Sequence, residues 1–214
     1  MAPGVTARPG EYDRTQVFGT ESGERIDTGP VIGAAFDATL AAARDGDEEA
    51  FTRLFRDVQP ALLRYLRVLA PGAADDMAGE TWLRVVAGLS GFSGDESAFR
   101  AWLFTIARHR AVDWGRHRGR RATVQLTPDE PLERLTARDA AEAALERMST
   151  RTVLALVATL PRDQAEIILL RVVADLDTRD VARIVGKTPG AVRVAAHRGL
   201  RRLAGLVDRA GVTL

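Results

Sequence analysis

The sequence predicts an all-α chain of two small helical domains joined by a flexible linker, and three observations carry that prediction. Apolar residues recur at helical spacing in one segment after another. Helix-opening residues such as Asp47 and Thr188, and helix-closing glycines such as Gly46 and Gly186, fall at the edges of those segments. Between the two groups of segments, Ala122 to Ser149 loses its period, contains Pro128 and Pro131, and turns acidic. With 46% apolar residues in 214, one large core or two small ones could be buried, and the irregular stretch selects two. The boundaries read as 1–33, 34–121, 122–149 and 150–208.

Met1 to about Gly33 mixes Pro, Gly, Thr and charges without period and reads as a disordered extension. Phe36 to Arg44 is a short helix closed by Gly46. Asp47 caps the next one, with Glu48 and Glu49 in its first turn and Phe51, Leu54, Phe55, Val58, Leu62, Leu66 and Leu69 along its apolar face. Pro60 inside that run predicts a kink near Arg56 or Asp57. After the Pro71-Gly72 break, Asp75 opens a third helix in which Trp82, Val85, Val86 and Leu89 are apolar while Asp76, Glu80 and Arg84 form a charged ridge. The loop GFSGDES follows. A long helix then starts at about Glu96, carries Phe99, Trp102, Leu103, Ile106 and Trp114, and ends in a block of arginines.

Beyond the linker, with a helical patch predicted at Arg138 to Met148, Val153 to Leu160 opens the second domain and Pro161 stops that segment. A helix from Arg162 to Val173 carries Ile167, Leu170 and Val173, and Asp175 to Asp177 is a turn. Thr178 to Leu203 then reads as two short helices joined by a tight turn. Thr178 is placed to cap the first, whose narrow apolar face is Val181, Ala182 and Val185, and Gly186 ends it. Thr188 caps the second, and Pro189 takes the first helical position, where a missing N–H costs nothing. On that second helix Val192, Ala196, Gly199, Leu203 and Leu206 share one side. Gly190, Arg193, Val194, His197, Arg198 and Arg201 share the other. A helix with a small buried side and a basic outer side, entered by small residues, suits a DNA groove: its N-terminus approaches phosphate and Arg193 reaches base edges.

The net charge of +1 conceals a segregation of charge. Arg108 to Arg121 holds six arginines against Asp113, whereas Thr123 to Thr150 holds six carboxylates against three arginines. Lys187 is the single lysine among 30 basic residues, which points to a G+C-rich bacterial genome. The absence of cysteine excludes disulfides, thiolate metal sites and thiol redox chemistry. His109, His117 and His197 are too widely spaced for a zinc motif, so no metal, cofactor or catalytic residue is expected. No secretory signal and no apolar run approaching the roughly 20 residues that span a bilayer is visible, and a cytoplasmic protein without membrane insertion is expected. Gly186-Lys187-Thr188 imitates the end of a phosphate-binding loop, but Val181 stands where that motif needs glycine and a helix precedes it. GFSGD resembles a nucleophile elbow only loosely, because Asp95 takes the second glycine's place.

Four segments in order now resemble the extracytoplasmic-function (ECF) group of sigma-70-type RNA polymerase sigma factors, across about Phe36 to Val207. DEEAFTRLFRDVQPALLRYLRVL resembles the first part of region two, and ADDMAGETWLRVV its acidic polymerase-binding helix. FRAWLFTIARHRAVDWGRHRGRR is similar to the segment that melts and reads the minus-10 element. LPRDQAEIILLRVVADLDTRDVARIVGKTPGAVRVAAHRGLRRL is similar to the region-four helix-turn-helix that reads the minus-35 element. The resemblance implies an alternative sigma factor that directs promoter-specific initiation. Its partners would be promoter DNA, core RNA polymerase through the largest subunit's clamp helices and the flap, and an anti-sigma factor.

By the same resemblance, Asp75, Asp76, Glu80 and Trp82 would bind core polymerase. Phe92, Ser93, Trp102, Arg108, Arg110, Arg116 and Arg118 would serve the minus-10 element, and Thr188, Gly190, Arg193, Val194, His197, Arg198 and Arg201 the minus-35 element. Two departures stand out. Gly79 replaces the family's usual glutamine before Glu80-Thr81, at a helix cost of about 1 kcal/mol, and Val194-Ala195-Ala196 replaces its common Ser-Arg-Leu. A stand-alone helix-turn-helix regulator is the competing reading; it would normally dimerise or carry a receiver domain.

Overall fold

A computed structural model of the chain describes residues 32–119 and 150–210, with side chains as far as Arg116 and Val207 in the two stretches. The expected N-terminal extension and the linker, including its helical patch, lie outside the described residues. Every regular element within them is a helix: a short 3-10 turn at Gly33–Ala35, then α1 (Phe36–Arg44), α2 (Glu48–Leu69), α3 (Ala74–Leu89) and α4 (Glu96–Gly119). After the linker come α5 (150–158), α6 (Arg162–Ile168) running into a π-turn at Leu169–Val173, α7 (Thr178–Val185) and α8 (Pro189–Ala210).

The centre of the first domain is α2. Asp47 caps it by accepting from the Glu49 and Ala50 amides at 2.8 and 2.9 Å, and Gly46 enters that cap at φ 95°, where a side chain would be strained. The helix runs unbroken through Pro60. Leu54, Val58, Leu62, Tyr65 and Leu66 are fully buried between α1, α3 and α4. Tyr65 was not among the expected apolar positions. Trp82 of α3 lies across Phe51 (centroids 5.8 Å, edge-on) and Phe55 (5.0 Å), and its indole N–H donates to Gln59 at 2.7 Å. Where α3 meets the start of α4, Phe92 stacks on Trp102 at 5.0 Å and meets Phe99 edge-on at 5.6 Å.

Some local expectations are corrected. The α3 helix starts at Ala74, one residue before Asp75, without a side-chain cap. Val86, expected on the apolar face, is 55% exposed, because the α3 stripe that faces α2 and α4 passes through Met77, Ala78, Thr81, Trp82, Val85 and Leu89. Asp177, not Thr178, caps α7: its carboxylate accepts from the Asp180 amide at 2.7 Å. The buried side of α7 is Val181, Ala182 and Ile184, with Val185 only half-buried.

In the second domain α8 crosses α6 at Gly199. A Cβ there would lie 2.7 Å from Ile168 Cδ1 and 3.2 Å from Gln164 Cβ, so a larger residue would have to push these side chains aside. Ala174 N–H closes the π-turn on Leu169 O at 2.9 Å, and Asp175 takes φ 53° on leaving it. The two domains share one continuous core. Leu169, Leu170 and Ala174 on one side, and Phe104, Ala107 and Ala111 on the other, belong to the same cluster and are fully buried.

Candidate nucleic-acid and polymerase interfaces

The helix-turn-helix is built as its residues dictate. Gly186 ends α7 in the left-handed region at φ 69°, its N–H bonding back to Ala182 and Arg183. Thr188 Oγ1 then accepts from the Ala191 amide at 3.2 Å and opens α8. Val192 is buried and Ala196, Leu203 and Leu206 are half-buried on the inner side. Thr188, Gly190, Arg193, Val194, His197, Arg198 and Arg201 all stand exposed on the outer side. A shallow groove beside this face is lined by Asp163, Gln164, Lys187, Gly190, Val194 and Arg198. Within it Lys187 Nζ pairs with Asp163 at 2.8 Å. Together, Arg193, Arg198 and Arg201 make a basic strip, with His197 and the exposed Val194 among them, and such a strip is the electrostatic requirement for following a nucleic-acid backbone.

The minus-10 group is less uniform. Ser93 is exposed and Trp102 half-buried, but Phe92 is 5% exposed and belongs to the aromatic core, held by the Trp102 and Phe99 rings. In this conformation it supplies the floor under Trp102 and has no surface for a base. Arg108 Nε donates to Glu166 Oε1 at 2.8 Å, so the arginine expected to meet DNA is occupied by a carboxylate of α6. Arg110 reaches Glu80 at 3.7 Å, and Arg116 reaches Asp113 at 3.9 Å. Arg118 lies on the last turn of α4, and its side chain is outside the described residues.

On α3, Asp75, Asp76 and Glu80 are exposed along one ridge, as expected. Trp82 is corrected to a core residue: it is 6% exposed, and its one polar atom is already bonded to Gln59. In its place the surface offers Leu83 and Val86, 72% and 55% exposed. Neighbouring exposed apolar groups of this kind are what a docking partner can cover. Spacing alone makes Leu83 a neighbour of Glu80, three residues apart on one helix, but an apolar residue in a helical period points first to the core.

The loop before α4 and the start of α7 meet across the domain boundary. Burial, then the Asp177 carboxylate, raises Asp180 above the usual carboxylate range; Asp95 adds to this, while Arg183 and a hydrogen bond with Ser97 oppose it. Deeper in the same boundary, Tyr65 Oη donates to Glu166 Oε1 at 3.2 Å. Burial, followed by the Glu166 charge, pushes the phenol well above its ordinary value, so Tyr65 remains a donor.

Comparison with known proteins places this geometry. Residues 54–121 match the sigma-70 region 2 model, and residues 150–203 match that of sigma-70 region 4. The ECF RNA polymerase sigma factor SigD of Mycobacterium tuberculosis is 36% identical over 187 residues, covering 84% of this chain and 87% of SigD. The chain belongs to the ECF sigma factors. ShbA of Streptomyces griseus, another of them, is 34% identical over 197 residues, covering 86% of this chain and all of ShbA. A solved structure of the sigma factor RpoE in complex with the anti-sigma factor NepR from Bartonella quintana has the same fold. Its TM-score is 0.56 at 24% identity, over 74% of this chain and 96% of that one. As an ECF sigma factor the chain is an alternative sigma factor directing transcription initiation, and a stand-alone helix-turn-helix regulator is not favoured. Sigma factors are transcription regulators rather than enzymes. No helix among the described residues is long and apolar enough to cross a membrane.

Proposed function

We propose a division of labour in which residues 34–121 dock on core polymerase and open the minus-10 region, while residues 150–208 read the minus-35 duplex. The observation that carries this reading is the outer face of α8. There Arg193, His197, Arg198 and Arg201 stand exposed on a helix whose N-terminus is fixed by the Thr188 cap and whose inner side is locked by Val192 and Gly199. The exposed ridge of Asp75, Asp76 and Glu80, flanked by Leu83 and Val86, is the surface offered to the basic clamp helices of the polymerase. Ser93, Trp102, Arg108, Arg110, Arg116 and Arg118 lie along the minus-10 path, with Phe92 supporting Trp102 from below. The factor works in the cytoplasm and does no chemistry of its own; the polymerase does. An anti-sigma protein, of the kind that accompanies RpoE in its solved complex, is the partner class for its control.

The reading is tested at Arg193. Its guanidinium lies one turn into α8, where a bidentate pair with guanine O6 and N7 contributes about 1–3 kcal/mol of base discrimination. Arg201 lies two turns further on, where the helix runs beside phosphate. Transcription from a library of minus-35 substitutions should therefore lose preference at one or two positions with Arg193→Ala holoenzyme. Arg201→Ala should weaken all promoters alike and reduce the salt dependence. An unchanged base preference with Arg193→Ala would remove Arg193 from the reading face.

A further inference from the structure

Val194 is 49% exposed, a large apolar residue of α8 left in water. At about 100° per residue it lies in the middle of the outer face, opposite the line of Val192, Gly199 and Leu203 that packs inward. Ala195, Ala196, Leu203 and Leu206 pack against the core, and Val194 does not. Arg193 and Arg198 flank it on either side, and Arg201 follows two turns later. One turn before it Gly190 carries no side chain, and packing does not require this: a Cβ there would meet nothing within 4 Å. Along the adjoining groove the polar side chains are already paired, Lys187 with Asp163 at 2.8 Å and Gln164 with Arg202 at 3.2 Å. A branched apolar group therefore stands clear of its neighbours at the centre of a basic face.

An isopropyl group neither donates nor accepts a hydrogen bond, so on a helix lying in the major groove it discriminates between base pairs only by apolar contact. The edges of the four base pairs present one apolar group there, the C5-methyl of thymine. We infer that Val194 is a specificity residue that selects thymine at one base pair of the minus-35 element through that methyl. This rests on the reading of the outer face of α8 as the minus-35 contact. Gly190 clears the approach for Val194, while Arg193 and Arg198 hold the helix from either side through guanine and phosphate. Any other base at that place offers no methyl, and Val194 would screen its polar atoms from water without returning a hydrogen bond. The serine common in the family at this position would supply a hydroxyl, which suits several base edges. Valine narrows that choice to one.

The test uses holoenzyme reconstituted with the full chain, and the minus-35 element that wild-type holoenzyme selects from a randomised library. Each thymine of that element, on either strand, is replaced in turn by deoxyuridine, which lacks the methyl and keeps the pairing. At one position wild-type initiation should fall roughly three- to fivefold, the factor for burying one methyl group. Holoenzyme with Val194→Ala should no longer distinguish thymine from uracil at that position. Cytosine placed there should be rescued in part by 5-methylcytosine with the wild-type chain and not with Val194→Ala. Because Val194 is exposed, the variant should keep the wild-type helicity and thermal midpoint, so a lost preference is not a lost fold. A selected element without thymine on either strand, uracil that serves as well as thymine at every position, or a uracil effect that survives Val194→Ala overturns the inference. The underlying reading fails in a different way: if neither Arg193→Ala nor Val194→Ala changes base preference anywhere in the element, the outer face of α8 does not read it. A preference altered by Arg193→Ala, with no uracil effect in the wild type, keeps that reading and removes only Val194.

Discussion

Arg100 and Asp57 form the most deeply buried ion pair among the described residues, 2.9 Å apart with side chains only 7% and 6% exposed. Glu96 approaches the same guanidinium at 3.6 Å and, from its other side, accepts from the Gly33 amide at 3.0 Å. Burial, more than any neighbour, raises Asp57 above the usual carboxylate range, and Arg100 opposes it. Removing one partner of such a pair costs about 3–5 kcal/mol, whereas replacing both by apolar groups is close to neutral. Arg100→Met should thus lower the urea midpoint strongly, and Asp57→Leu added to it should restore much of the loss. A double variant no more stable than Arg100→Met alone would show that the guanidinium acts through Glu96 and Ala174 instead. At this scale the sequence was only partly legible. Caps at Asp47 and Thr188 follow from residue type and position, but the Asp57–Arg100 pair joins residues 43 apart and no local pattern marks it.

Elements were read more successfully than residues, and α3 shows both outcomes. Its extent and its charged ridge follow from spacing, whereas Val86, expected on the apolar face, is exposed, and Trp82, grouped with the polymerase-binding residues, is buried. A helix flanked on one side only by α2 and α4 buries a narrow stripe, and a second apolar row is left facing water. The same helix carries Gly79, exposed on the ridge, where an added Cβ meets nothing within 4 Å. Helix propensity then decides the effect of substitution. Gly79→Ala should stabilise region two by about 1 kcal/mol, read as a higher thermal midpoint, without altering the Asp76 and Glu80 positions. Gly88 on the same helix has the opposite sign. A Cβ there would lie 2.8 Å from the Trp102 ring, so Gly88→Ala must displace the indole that rests on Phe92. A Gly79→Ala variant that is less stable than wild type would mean that this position is held by something other than propensity.

For the whole molecule, the sequence reading separated two domains, and the structure adds that they share a core. The separation is legible because Pro128, Pro131 and the acidic run interrupt the helical period. The shared core is not, because Tyr65, Glu166 and Arg108 are each unremarkable within their own helix, and only the docking of α6 onto α2 and α4 brings them together. One signal was available: Tyr65 and Glu166 are polar groups on otherwise apolar helix faces, which demands a partner for each. Independent domains unfold separately, whereas domains joined by a well-packed apolar interface unfold together. Leu169, Leu170 and Ala174 seal against α2 and α4 without exposure, so the free factor should show one calorimetric transition whose van't Hoff and calorimetric enthalpies agree. Glu166→Gln weakens the polar part of that interface and leaves each domain's own core intact. The single transition should then divide, with region four, the smaller of the two, melting first. Two transitions already present in the wild-type chain would show that the interface contributes little to cooperativity.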